Sequence, residues 1–379
     1  MTRPLEGLLV ADFSRVLAGP LATTTLADLG ARVVKVERPV HGDDTRHWGP
    51  PWSEVSSAYF ECANRSKESV ALDLDDADDL ALARTLAARA DVLVENFRSG
   101  VMARRGLDHA ALCEANPGLV YCSISGFGSG AGADLPGYDF LVQAVGGLMS
   151  ITGDADGPPT KVGVALVDVL TGKDAVIGIL AALAERHRSG RGQRIEVDLL
   201  SSLLGSLANQ ASAYAATGVA PSRMGNRHPS IAPYETLRCR DGLVALCCGN
   251  DGQFRRLCEV LDLPGAAEDP RFVTNGDRVA HRDDLVALLE DALARDTVAA
   301  WVPRLTRAGV PAGRVGDLAD AFALAENLGL EPLVPVAGGL PQVRHPVRYG
   351  RTPVTTYAAP PRLGQHGDEV RRWLEEEAR

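Results

Sequence analysis

The sequence predicts an α/β protein with a large domain built on a parallel sheet and a smaller α+β domain. Three observations predict it. Short β-branched runs alternate with alanine-rich helical stretches from Gly7 to Ile124. A carboxylate, Asp168, is the one charge in the run Val162 to Gly172, within the largely apolar stretch Lys161 to Ala184, KVGVALVDVLTGKDAVIGILAALA. From Tyr234 the alternation gives way to a hairpin pattern with Asp241-Gly242 as its turn.

Composition sets limits. At 379 residues and 45% hydrophobic, the chain is long enough to bury more than one core. A net charge of −10, with no basic stripe to offset it, argues against a nucleic-acid partner. Any anionic ligand must therefore meet local arginines. The seven cysteines (Cys62, Cys113, Cys122, Cys239, Cys247, Cys248 and Cys258) are odd in number and lack metal-binding spacing. They are expected as reduced thiols in a cytoplasmic protein with no metal site. The longest uncharged apolar run, Ala175 to Ala184, is far short of a membrane span, so a soluble, untargeted protein is expected.

In order, Gly7 to Asp12 is a strand. Gly19-Pro20 opens a helix to Leu29, and Arg32 to Glu37 is the second strand, completing a βαβ unit. The connecting loop, FSRVLAGP, has one glycine and no GxGxxG. Glu37 stands where an acid holds a ribose, but without the glycines a nicotinamide cofactor is a weak reading. Strands follow at Val70 to Leu74, Val92 to Glu95 and Leu119 to Ile124, with an amphipathic helix at Asp76 to Ala90. Such sheets bind ligands at the strands' carboxyl ends. Arg38, Arg98 and Arg104 all follow predicted strand ends, and three guanidinium forks on one sheet edge point to a phosphate-bearing ligand.

Val162 to Val167 reads as a buried strand and the run from Thr171 as a helix, which puts Asp168 at their junction. Two readings of that carboxylate stay open. It caps the helix, accepting a first-turn N–H, or it is a nucleophile or acid–base group in a dry pocket. Beyond it, Arg194 to Val197 is a short strand and Leu199 to Ala216 one helix. The expected boundaries are 1–217 for the large domain, 218–233 for a linker and 234–325 for the small domain. Residues 326–379 are expected to return to the large domain.

The motifs LEGLLVADFSRVLAGP, VVKVERP with GDDTR, ANRSKESVALDL, ADVLVENFRSG, NPGLVYCSISGFG, SGRGQRIEVDLL and PPRLGQHGDEV, with the Asp168 stretch, resemble family III CoA-transferases. That family includes formyl-CoA and carnitine CoA-transferases, with α-methylacyl-CoA racemase as a relative. The resemblance runs from Leu5 to about Val370. It implies a Rossmann-like large domain built from both ends of the chain and a homodimer of two interlinked, ring-like subunits. It also implies coenzyme A as a co-substrate with no permanently bound cofactor, and as partners an acyl-CoA and a small carboxylic acid, with no nucleic acid and no membrane.

The resemblance places the catalytic aspartate on Asp168. It places coenzyme A contacts on Val16, Leu17, Ala18, Arg38, Leu72, Asp73, Asn96, Phe97, Arg98 and Arg104, with Tyr138 and Asp139 near the thioester. Position 17 is Leu rather than a polar residue, and Pro136 replaces a basic one. The implied chemistry is covalent: an aspartyl anhydride, then an aspartyl-CoA thioester. The alternatives are a racemase acting by α-proton transfer, a nicotinamide oxidoreductase and a non-catalytic CoA-binding protein. The racemases carry Gly-His-Asp where this chain reads Gly137-Tyr138-Asp139, and a tyrosine is a poor base near neutral pH. The segment PYETLRCRDGLVALCCGNDGQF resembles members that use succinyl-CoA and other dicarboxylic acids.

Overall fold

The computed structural model describes residues 3–53 and 56–376. Six strands form one wholly parallel sheet: β1 Leu9–Asp12, β2 Arg32–Glu37, β3 Glu68–Ala71, β4 Val92–Glu95, β5 Val120–Ser125 and β6 Arg194–Asp198. Their order is β3-β2-β1-β4-β5-β6, so the chain reverses its direction of growth between β1 and β4. That Rossmann-like reversal leaves the connections after β1 and β4 diverging to opposite faces, with a crevice between them.

Both faces of the sheet are covered, which is why these strands read as continuous apolar runs. On one face Val10, Val33, Val92, Val120 and Cys122 pack against the helices Ala18–Asp28 and Leu166–Ser189. On the other, Ala11, Val34, Val70 and Leu93 pack against the helix Ala77–Arg89 and the C-terminal helix Gly367–Glu376. The two helices on the first face approach closely because Gly172 has no side chain. A Cβ there would stand 2.7 Å from the Ala18 carbonyl oxygen.

The chain divides into two compact units. The sheet unit comprises Met1–Leu148, Lys161–Val219 and Glu331–Arg379. Its returning C-terminal segment is tied by side chains: Arg46 donates to the Pro361 carbonyl at 3.1 Å, and Arg89 to the carbonyls of Trp373 and Leu374 at 3.1 Å. The second unit comprises Met149–Thr160 and Ala220–Leu330. It holds an antiparallel sheet of β7 Tyr234–Arg238, β8 Leu243–Cys247 and β9 Ala312–Arg314. Within it the fully buried Arg278 lies over the Phe254 ring and bonds Asp251 at 2.7 Å and the Ala232 carbonyl at 2.7 Å. No helix among the described residues is long and apolar enough to cross a membrane.

Four sequence expectations are corrected. Val162 to Val167 is not a strand: no strand of the sheet pairs with it, Val164 is 59% exposed, and the helix already begins at Leu166. The β-branched run misled because its residues serve a loop end and a first helical turn. Asp168 thus lies inside that turn rather than at a strand–helix junction. The third strand is Glu68–Ala71, ending before Leu74, because the last bond to its neighbour is made by the Leu72 N–H, which donates to the Glu37 carbonyl at 2.9 Å. Leu199 to Ala216 is two helices, Leu199–Ser206 and Ala208–Thr217, broken where Ala208 takes a positive φ of 44°. The second unit takes in Met149–Thr160 and residues 220–233, beyond the expected 234–325, through hydrogen bonds from Arg223 to the carbonyls of Asp154 and Gly157.

Candidate active site

A cleft of about 620 Å³ opens in the sheet unit around the switch point. Its walls come from the segments that follow β1, β4, β5 and β6, and Asp168 forms part of its lining. Each segment is fixed by a different physical device.

After β1, the loop reaches the Ala18 helix through Val16, whose φ is 71°. For a β-branched residue that left-handed conformation costs roughly 1–3 kcal/mol. It is clamped to the β4 loop by Asn96, which accepts from the Arg15 N–H at 3.0 Å and donates to the Arg15 carbonyl at 2.7 Å. The Arg15 guanidinium lies over the Phe97 ring, 5.6 Å from its centroid. After β5, the chain passes Gly126 and returns at Gly137. The two glycines touch, and a Cβ on Gly126 would stand 2.5 Å from the Gly137 Cα. Only glycine at both positions lets this loop bring Tyr138 to the cleft.

Asp168 is 9% exposed and sits in the first turn of the Leu166–Ser189 helix. Its carboxylate receives no hydrogen bond from any described residue, and it caps nothing. The cap comes instead from Asp139, whose Oδ1 accepts from the Val167 N–H at 2.7 Å and the Asp168 N–H at 3.3 Å. Gln143 steadies Asp139 by donating to its Oδ2 at 2.7 Å, and accepts from the Val162 N–H at 2.9 Å. Burial, then the nearby Asp139 charge, pushes the Asp168 carboxyl up to about 7. A carboxylate that is hard to keep ionised, unbonded and facing a cleft is more basic and more nucleophilic than a solvated one.

Beneath the first loop lies a buried charge network. Asp12 accepts from Ser14 Oγ at 2.5 Å, Thr23 Oγ1 at 2.7 Å and Lys67 Nζ at 3.0 Å. Burial opposes its charge, but the Lys67 and Lys35 ammonium groups outweigh that and hold it at about 2. Burial brings Lys67 down to about 8, against the pull of Asp12. Glu37 holds Arg46 through 2.8 and 2.7 Å bonds, and burial and those bonds act on it in opposite senses, the net being a lowered pKa.

The residues singled out in the sequence divide. Val16, Leu17, Ala18, Asn96, Phe97, Arg98, Tyr138 and Asp168 line the one cleft. Arg38, Leu72, Asp73, Arg104 and Asp139 do not. Arg38 is exposed and engaged by Asp44 and the Gly42 carbonyl. Leu72 is buried in the core, while Asp73 is exposed and closes a local turn with the Asp75 N–H at 3.0 Å. Arg104 is exposed beside Gly100, with its guanidinium 3.2 Å from where a Cβ there would stand. Asp139 acts on the cleft from behind, through Asp168.

Two residues were missed. Arg15 belongs to a loop read only for its glycine. Tyr59 lies near Asp168, and burial, then the Asp168 charge, pushes its phenol up to about 12. Nothing local marked it, since its approach depends on the long excursion between β2 and β3.

The model of the family described as CoA-transferase family III matches residues 5–367. An acetyl-CoA:oxalate CoA-transferase of Acetobacter aceti is 43% identical over 97% of this chain and 95% of its own. A succinate–glutarate CoA-transferase of Agrobacterium fabrum is 43% identical over 98% of this chain and 96% of its own. Among solved structures, a CAIB/BAIF family protein from Brucella suis superposes with a TM-score of 0.88 at 44% identity, covering 99% of this chain and 100% of that one.

Proposed function

This chain belongs to CoA-transferase family III, and from that premise we propose that it moves CoA from a dicarboxylic acyl-CoA such as succinyl-CoA to a small carboxylic acid, using Asp168 as a covalent carrier. The observation that carries the proposal is the unbonded, buried Asp168 carboxylate in the cleft at the sheet's switch point. The names of relatives that act on oxalate, succinate and glutarate support a dicarboxylic substrate.

In this reading the Asp168 carboxylate attacks the thioester carbonyl. The C–S bond breaks, CoA leaves as the thiolate, and a mixed anhydride remains. The thiolate then attacks the aspartyl carbonyl, releasing the donor acid and leaving an aspartyl-CoA thioester. The acceptor carboxylate attacks that carbonyl and expels the thiolate again. Thiolate attack on the acceptor's carbonyl yields the new acyl-CoA and free Asp168. Each step passes through an oxyanion that needs preorganised donors, and water must be kept out to save the anhydride. Coenzyme A is held as a co-substrate by Val16, Leu17 and Ala18 in the first loop and by Asn96, Phe97 and Arg98 after β4. Asp73, Arg38 and Arg104 meet the part of coenzyme A that extends beyond the cleft, the two arginines at its phosphates or adenine, and Tyr138 stands by the thioester; Leu72, buried in the core, offers it no side chain.

The protein acts as a homodimer of interlinked subunits. Apolar exposure supports association: Leu318 and Leu324 on the helix Leu318–Asn327, and Leu328 just beyond its end, are 78%, 59% and 65% exposed, and no residue of that helix is buried.

Incubation with succinyl-CoA and no acceptor tests the chemistry. A hydroxylamine-labile adduct should form on the Asp168 peptide, and Asp168→Ala should bind acyl-CoA yet transfer nothing. Solvent exchange of the substrate α-proton with neither adduct nor transfer would instead indicate a racemase.

A further inference from the structure

The backbone of the loop 14–16 is held almost entirely by side chains from elsewhere. The Ser14 N–H donates to Asp12 at 3.0 Å, and its carbonyl accepts from Lys35 Nζ at 2.8 Å. Both Arg15 backbone groups bond Asn96. The Val16 N–H is shared between the two oxygens of Asp43, at 3.2 and 3.3 Å. The next two residues, Leu17 and Ala18, line the cleft, and their own N–H groups have no partner among the described residues.

Asp43 is the junction of this arrangement. Its side chain is fully buried and is not part of the cleft lining. Besides Val16 it accepts from Lys35 Nζ at 2.9 Å, from the Thr45 N–H at 3.0 Å and from Thr45 Oγ1 at 2.8 Å. The Thr45 bonds cap the turn Asp44–His47, so the same carboxylate also places Asp44, which lines the cleft and pairs with Arg15 at 3.4 Å. Lys35, equally buried on β2, bridges Asp43 to the Ser14 carbonyl. A strained β-branched residue persists only where its surroundings over-determine it. Here the clamps are Asn96 on one side of Val16 and Asp43 on its own amide.

We propose that Asp43 is a positioning residue for CoA transfer: without reaching the cleft, it holds Val16 in the left-handed conformation and so fixes where Leu17 and Ala18 stand in the cleft wall. Lys35 keeps the carboxylate in place and supplies its counter-charge. The proposal rests on the CoA-transferase reading only for the identity of the ligand.

Two measurements test it. Without ligand, hydrogen exchange in the peptide spanning residues 13–21 should be about tenfold faster in Asp43→Ala, a tenfold ratio corresponding to about 1.4 kcal/mol. Unchanged exchange would overturn the proposal. With ligand, calorimetry of CoA itself, well below each variant's melting temperature, should show affinity about tenfold weaker in Asp43→Ala. Val16 itself lines the cleft, so the same measurement is made against Val16→Gly: glycine adopts a positive φ without strain, and adding Asp43→Ala to it should cost little further affinity. General destabilisation would cost both backgrounds alike, so a full tenfold loss on the Val16→Gly background would also overturn the proposal. If Asp43→Ala does not fold, Asp43→Asn keeps an acceptor for Val16 and loses the pairing with Lys35. It should show the same two effects in smaller measure, and their absence would count against the proposal equally. Wild-type protein that binds no CoA would refute the ligand, while the exchange result would still decide the role of Asp43.

Discussion

Asp139 caps the helix that carries Asp168: one of its carboxylate oxygens bonds the Val167 N–H at 2.7 Å and the Asp168 N–H at 3.3 Å. The same contact has two opposite consequences. It satisfies amides that the helix itself leaves free, and it sets a second negative charge beside Asp168, adding to the effect of burial on its pKa.

The pH dependence follows. In the proposed mechanism the ionised Asp168 is the attacking form, so kcat/KM for acyl-CoA should rise with pH and level off above about 7. Asp139→Asn keeps a cap acceptor but removes the charge, so the rise should move to lower pH. A limb that stays in place would show that Asp139 has no electrostatic hold on Asp168.

Stability should run the other way. Asp168 binds its proton more tightly in the folded chain, so between pH 3.8 and about 7 the native state holds more protons than the unfolded one. This group's contribution is therefore full below pH 3.8 and is lost as pH rises through about 7. Denaturant titrations of wild type and Asp168→Asn should diverge in pH slope across that window, and parallel slopes would contradict the burial of the carboxyl.

The glycine contact sets a steric limit. Gly126→Ala must push the Gly137 backbone away and with it Tyr138. We expect a KM for acyl-CoA raised about tenfold with the fold retained, the displacement removing binding contacts and not the core. Steady-state kinetics beside a melting curve measure both, and an unchanged KM would mean that Tyr138 is not positioned by this contact.

Asp12 carries the buried network. Asp12→Asn leaves Lys67 buried without its main counter-charge, a loss of about 3–5 kcal/mol. Because Asp12 is held near 2, its contribution is present above pH 3.8 and fades as pH falls toward 2. Chemical denaturation at neutral pH checks the first statement, and a loss under 1 kcal/mol would refute it.

On the proposed coenzyme A contacts, Arg98→Ala and Arg104→Ala should each raise the KM for acyl-CoA about tenfold, more at low salt than at high. Neither guanidinium has a hydrogen bond to a described residue, whereas Arg38 is engaged by Asp44. Arg38→Ala should accordingly act more weakly. An Arg38 effect exceeding both others would reverse that ranking.

The sequence by itself determined the elements and the chemistry-bearing stretches. Alternating β-branched and alanine-rich runs are local patterns, so β1, β2, β4 and the Asp241-Gly242 hairpin were legible, as was the isolation of Asp168 in apolar sequence. Tertiary structure alone decided where Asp168 sits and what surrounds it. A run such as Val162 to Val167 suits a strand or a loop leading into a helix equally well, and only the absence of a pairing strand chose the latter. The cap from Asp139, 29 positions away, the approach of Tyr59 and the Asp43 clamp on Val16 join residues distant in the chain. Such pairings depend on the order in which strands lie side by side, which no local period encodes.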